Sequence, residues 1–262
     1  MKIKFFDKKP QKKKLALSLS GGGARGAVHI GFLQAVYESG ITVNAVAGTS
    51  IGSIIGAFYC SGVPPLEMKK IMQAQSFTKI FHFSWSKKGL LKMDALVEIL
   101  KSHIQSNSFE NLKIPLYVGV SNLDKGTFEI FDSGELFKIV TASASIPVIF
   151  EPVEIHGFNY VDGGLFNNMP VEPLLKKDAY VVGVHVNNYK PPEEVNLVTV
   201  AERVFTLVIK KNVEPSFKLC DEVIDPFLEK DYGILDFKQT EELFSIGYQA
   251  GIEFVERFTS QE

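Results

Sequence analysis

Three short stretches of this 262-residue chain hold residue types that could do chemistry, and each follows an apolar run of strand length. The first is Gly48-Thr49-Ser50-Ile51-Gly52, placed after Val46-Ala47 and before small and apolar residues at helical spacing. A Gly-x-Ser-x-Gly turn between a strand and a helix has the form of a nucleophile elbow. Gly48 and Gly52 permit backbone contacts that a Cβ would block, which pushes Ser50 into a strained, exposed turn beside the positive end of the following helix. The same residues also fit a plain glycine turn, and the strand-and-helix context favours the nucleophile.

The second stretch is Gly21-Gly22-Gly23-Ala24-Arg25-Gly26, where bare backbone N–H groups point at the carboxyl edge of the sheet. It matches the dinucleotide pattern G-x-G-x-x-G at Gly21, Gly23 and Gly26. That reading needs an acidic residue about 20 positions on, at the end of the second strand. The second strand ends at Gly48-Thr49-Ser50 instead, and "GTSIGS" lacks the lysine of a P-loop. The loop therefore reads as an oxyanion hole, whose donors stabilise charge developing on a carbonyl oxygen attacked by Ser50. The third stretch is Asp162-Gly163-Gly164, after the strand ending at Val161. Asp-Gly is a common plain turn, but a serine nucleophile needs a base within reach, and Asp162 is a carboxylate at a strand end with little bulk around it.

Chain order leaves a second mechanism open. Ser50, Asp162 and His185 follow the Ser, acid, His order of the α/β-hydrolases. Against it, His185 lies inside "AYVVGVHVNN", where strand periodicity continues to Val186, so a structural strand histidine is the simpler reading. His29 sits one helical turn after Arg25, and His82, His103 and His156 lack a neighbouring motif.

The elements that must position these residues alternate along the chain. Strands are expected at 15–19, 42–47, 115–121, 126–131, 157–161 and 179–186. Helices are expected at 24–39, 51–62, 65–75, 93–106, 134–143, 196–211 and 238–258. This order predicts a single α/β domain over residues 15–262, a mostly parallel central sheet with helices on both faces, and ligands outside the carboxyl ends of the strands. The stretch "KPPEEVN" at 190–196 reads as an exposed loop.

Composition narrows the classes. Hydrophobic residues are 45% and charged ones 22%, and no uninterrupted apolar stretch approaches the roughly 20 residues that span a bilayer. Cys60 and Cys220 are too few for a disulfide framework and lack metal-ligand spacing, so a reducing compartment and no metal are expected. The net charge of −2 hides an asymmetry: residues 1–14 hold seven lysines and one aspartate, which leaves −8 for the remainder. Lysines before "LALSLS" imitate a signal peptide, but that apolar run is only six residues long. A cytoplasmic protein with a basic arm is expected. Arm 1–14 and the aromatic, lysine-bearing stretch 76–93 are the candidates for peripheral membrane contact; the plain readings are a solvated tail and a core packed under a loop.

The set GGGARG, GTSIG and DGG, in this order and each at a strand end, resembles the patatin-like phospholipase family, bacterial members included. "TASASIPVIFEPV" (141–153) and "YVDGGLFNNMP" (160–170) are similar to that family's surrounding segments, with Asn168 and Pro170 in its usual Asn-x-Pro. The resemblance covers residues 14 to 187; beyond them only the coarse helical pattern matches. It implies a three-layer α/β/α fold and a lipid-ester substrate, with neither cofactor nor nucleic acid. It also implies Ser50 as nucleophile, Asp162 as its base in a Ser/Asp dyad, and Gly21, Gly22 and Gly23 as oxyanion donors. Arg25, Gly26, Gly48, Gly52, Gly163 and Gly164 become structural members of the motifs. A lipid-binding protein with little turnover is the competing class, and the intact motif positions argue against it.

Overall fold

In the computed structural model, residues 14–74, 93–188, 197–230, 232–234 and 236–260 are described. The basic arm up to residue 13, the stretch 76–93 except Met93, and the loop at 190–196 lie outside them. The apolar runs become strands β1 (Leu15–Leu19), β2 (Val43–Thr49), β3 (Leu116–Asn122), β7 (Tyr180–Val184) and β8 (Glu222–Ile224). They pair in parallel in the order β3-β2-β1-β7-β8. A parallel sheet is covered on both faces, and β1 shows why its sequence is apolar throughout. Leu15, Leu17 and Leu19 point into a large core on one face, Ala16 into a smaller one on the other. Each fully buried leucine contributes about 1.5–3 kcal/mol.

The large core lies under helices α1 (Ala27–Ser39), α2 (Ile51–Ser61), α3 (Pro65–Gln73), α4 (Asp94–His103), α5 (Leu136–Ser143) and α7 (Thr240–Ser260). The opposite face is covered by α6 (Leu197–Phe217) and a 3-10 turn at Glu172–Leu174. This is the three-layer α/β/α architecture. Helices α1 and α7 pack backbone to backbone: a Cβ on Gly31 or on Gly247 would stand 2.0 Å from a carbonyl oxygen of the other helix. Among the described residues, no helix is long and apolar enough to cross a membrane.

Three further strands run antiparallel to their partners: β4 (Thr127–Phe131), β5 (Val153–Ile155) and β6 (Phe158–Asp162). Their arrangement around β3 decides where the chemistry sits. β4 pairs with Val118 to Asn122 along one edge of β3. The other edge is shared. β2 runs along it until Thr49 meets Gly119, and β6 runs down it in the opposite direction until Asp162 meets Val120. β2 and β6 therefore end head to head.

Several expected boundaries shift for local reasons. The helix expected from 24 opens with a 3-10 turn at Gly23–Gly26, and α1 begins at Ala27. The strand expected at 157–161 is half of a hairpin, whose two-residue turn has His156 at φ 50° and Gly157 at φ 81°, as a turn of type I′ requires. β2 continues to Thr49, while β7 stops at Val184 although the His185 N–H still donates to Ile224 O at 2.8 Å. α6 runs to Phe217, beyond the expected 211 and past Pro215, with Val213 and Ser216 of its end buried against the protein.

Candidate active site

Ser50 joins β2 to α2 with φ 54° and ψ −128°, a combination that side-chain-bearing residues seldom adopt and that costs on the order of 1–3 kcal/mol. Neighbours hold it there. Its N–H donates to Ser143 Oγ at 3.0 Å, and the Ser143 hydroxyl donates in turn to Gly119 O at 2.7 Å. Its carbonyl accepts from the N–H groups of Ser53 and Ile54 and from Ser53 Oγ. The start of α2 is pressed so closely on β1 that a Cβ on Gly52 would lie 2.2 Å from Leu19 O. The turn is strained as expected, but not exposed: Ser50 is 8% accessible and opens into a narrow cavity that it lines with Gly22, Gly23, Asp162, Asn168 and Ile209.

The head-to-head ends of β2 and β6 bring Asp162 to Ser50. Asp162 is 1% exposed, and its Oδ1 accepts the Gly164 N–H at 2.7 Å. Its Oδ2 is buried with no hydrogen-bond partner among the described residues. Burial pushes the carboxyl pKa up to about 7, with the Ser50 hydroxyl and the Gly164 N–H pulling it back. The two side chains thus sense each other across a hydrogen bond that is not closed, a common state of catalytic contacts in the absence of substrate.

Of the three glycines expected to donate to an oxyanion, Gly21 does not fit: its N–H is committed to Asn168 O at 3.1 Å. Ala24 N–H is engaged by Ile234 O at 2.7 Å. Between them, the N–H groups of Gly22 and Gly23 meet no acceptor among the described residues, and both glycines line the cavity. Arg25 is buried behind the loop, its Nε–H donating to Gly22 O at 3.2 Å. Gly26 lies against Ile51, Gly48 against Gly52, and Gly163 against Gly119 O, close approaches that hold the loop, the elbow and the Asp162 turn together.

His185 is not brought to Ser50. Its Nδ1 lies 2.7 Å from Asp225 Oδ1, and its ring stands edge-on to Phe217 with centroids 5.2 Å apart. The carboxylate on this histidine is Asp225, so Ser50, Asp162 and His185 are not assembled as a triad. His29 bonds Ser20 O through Nε2 at 2.8 Å, and burial lowers its pKa to about 4. Among the described residues, no three His, Cys, Asp or Glu side chains gather as metal ligands would.

Two participants escape the motif reading. Ser143 holds the elbow from α5, and Asn187, just past β7, donates from Nδ2 to Gly21 O at 2.7 Å. The one available signal for Asn187 is two successive asparagines after an apolar strand that ends at the same edge of the sheet.

A family model described as patatin-like phospholipase matches residues 17–175. An uncharacterised NTE family protein of Mycobacterium tuberculosis (strain ATCC 25618 / H37Rv) is 29% identical over 168 residues, covering 63% of this chain and 47% of its own. Lysophospholipase NTE1 of Pyricularia oryzae is 26% identical over 294 residues, covering 95% of this chain and 19% of its own. The chain thus spans about half the length, or less, of these curated relatives. Among solved structures, VipD from Legionella pneumophila matches with a TM-score of 0.55 at 16% identity, covering 95% of this chain and 67% of that one, a likeness of fold.

Proposed function

The chain belongs to the patatin-like phospholipase family, and from that premise we propose that it is a serine acyl hydrolase acting on fatty-acyl esters of phospholipids, lysophospholipids or related lipids. One observation carries the reading. A strained serine, a buried carboxylate and two glycine N–H groups line one cavity, one carboxylate oxygen and both N–H groups having no partner among the described residues. The name of the fungal relative, a lysophospholipase, supports the substrate class.

In this reading Ser50 Oγ attacks the ester carbonyl carbon while Asp162 takes its proton, and the carbonyl electrons move to the oxygen facing Gly22 and Gly23. Collapse re-forms the carbonyl and breaks the bond to the alcohol, which leaves with the proton from Asp162. Water then gives a proton to Asp162 and attacks the acyl-enzyme. Ser50 Oγ departs and recovers that proton, and the fatty acid is released. A carboxylate with an ordinary pKa near 3.9 is a weak base, and burial raises Asp162 towards the working range. The lysines of residues 1–14 would favour an anionic lipid surface, and residues 15–262 would form the hydrolase domain.

A fluorophosphonate probe, with the modified peptide identified by mass spectrometry, tests the assignment. Ser50 is expected to carry the label, and Ser50→Ala to lose both label and ester hydrolysis while keeping its circular dichroism spectrum. Undiminished turnover in Ser50→Ala, or a parent chain that binds lipid without hydrolysing it, would overturn the reading.

A further inference from the structure

The glycine loop presents amide N–H groups to the cavity because the peptides that carry them are held from behind. The Gly21 carbonyl accepts two side-chain hydrogen bonds, from Asn187 Nδ2 at 2.7 Å and from Asn168 Nδ2 at 3.2 Å. Both asparagines are buried, at 6% and 0% exposure, and the Oδ1 of each is buried without a partner among the described residues. Buried amide oxygens left unsatisfied are rare enough to ask for a reason. Here two amides are committed to one carbonyl at the expense of their own acceptors.

Peptide geometry supplies the reason. This chain has no cis peptide bond among its described residues, and in a planar trans unit the carbonyl and the next N–H point in opposite directions. Holding Gly21 O on one side therefore aims the Gly22 N–H to the other, and Gly22 lines the cavity with Ser50 and Asp162. Hydrogen bonds to the carbonyl also polarise the unit and strengthen its N–H as a donor. A peptide between two glycines is otherwise the part of a chain freest to turn. The following peptide is secured in the same manner, since the N–H and the Nε–H of Arg25 both reach Gly22 O at 3.2 Å.

We propose that Asn187, seconded by Asn168, is a positioning residue for acyl transfer: by clamping the Gly21 carbonyl it aims the Gly22 N–H at the oxyanion. The proposal rests on the hydrolase reading above. Asn187 is the sharper test, because Asn168 also lines the cavity and takes the Gly21 N–H on its own carbonyl.

Asn187→Leu keeps the volume of the side chain and removes the donor. In the full chain, kcat and KM are measured on a short-chain nitrophenyl ester. Inhibition is compared for an alkyl trifluoromethyl ketone, which adds to the serine and places an oxyanion in the hole, and for an unreactive ether of the same chain. Loss of a hole donor costs about 10²- to 10³-fold in kcat, and misaiming one is expected to cost part of that, roughly 10- to 100-fold, with KM nearly unchanged. The ketone should weaken by the factor lost from kcat/KM, and the ether should not weaken. Parent-level kcat in folded Asn187→Leu, or equal weakening of ketone and ether, overturns the clamp.

Asn187→Asp, nearly isosteric, covers the case in which Asn187→Leu does not fold. Its carboxyl can donate to Gly21 O only when protonated, so the ratio of its kcat to that of the parent should rise as pH falls, and a ratio flat in pH overturns the clamp. A parent chain that neither cleaves the ester nor takes the fluorophosphonate removes the hydrolase reading and the clamp together. An active parent with indifferent Asn187 variants removes the clamp alone.

Discussion

Two pairs of side chains near the carboxyl edge of the sheet differ in a way that runs against first impressions. His185 and Asp225, 2.7 Å apart, look like the inner half of a serine hydrolase triad. Ser50 and Asp162 look unfinished, with an open hydrogen bond and a carboxylate oxygen lacking a partner among the described residues. Yet His185 is tied to β8 through its backbone and to Phe217 through its ring, and Asp225 has an imidazole to satisfy it. His185 Nε2 meets no partner among the described residues, but His185 does not line the cavity shared by Ser50 and Asp162. Polar groups with unmet needs inside a cavity are what a substrate can complete. A pair outside that cavity has nothing to offer there.

The strongest way to break this comparison is to disable each pair in turn. Asp162→Asn keeps the shape of the turn but removes the basic oxygen, and kcat/KM on a nitrophenyl ester is expected to fall by about 10²- to 10⁴-fold. Equal losses from Asp162→Asn and His185→Ala would dissolve the distinction.

Acidity sharpens it next. Asp162 must be ionised to accept a proton, and burial has raised its pKa to about 7. The parent's kcat/KM should therefore drop about tenfold per pH unit below that value and level off above it. A limb centred near 4 would mean that the base titrates as if it were in water.

The same shift has a stability sign. Because the folded protein holds this proton to higher pH than the unfolded chain does, Asp162 lowers stability as pH rises between about 4 and 7, and the penalty is complete above 7. Asp162→Asn should then melt higher than the parent at pH 8, by an amount corresponding to about 1–4 kcal/mol, with the gap closing towards pH 4. Melting curves that stay parallel across this range would refute the burial account.

The smallest catalytic effect is expected at the other pair. His185→Ala should leave kcat/KM within about threefold of the parent while costing about 1–3 kcal/mol in stability through the lost Asp225 bond and Phe217 contact, as urea titration would show.

Much of the site was legible because its parts are local. The glycine loop, the elbow at Ser50 and the Asp162 turn each sit where one strand stops, and alternating apolar runs betray such places without any knowledge of their partners. What stayed hidden depends on distant pairing. β5 and β8 span three residues each, too short to show a period. Nothing near Gly21 in the sequence says that its N–H will be taken by Asn168 O, or that Asn187, 166 residues further along the chain, will reach its carbonyl. The run of α6 from 211 to Phe217 stayed hidden likewise, because the burial of Val213 and Ser216 against the rest of the protein leaves no mark in the local pattern.

The shared edge of β3 turns catalysis into a measure of strand alignment. If β6 slipped by one residue, Asp162 would move about 3.4 Å along β3 and its side chain would turn to the opposite face of the sheet. A misaligned molecule would therefore be silent rather than merely slow. The β5–β6 hairpin can form from neighbouring residues, whereas the meeting of Asp162 with Ser50 waits until β2 and β6 have both found β3. During refolding, returning ester hydrolysis would count the molecules whose strands are correctly threaded, and compactness or helix content would not.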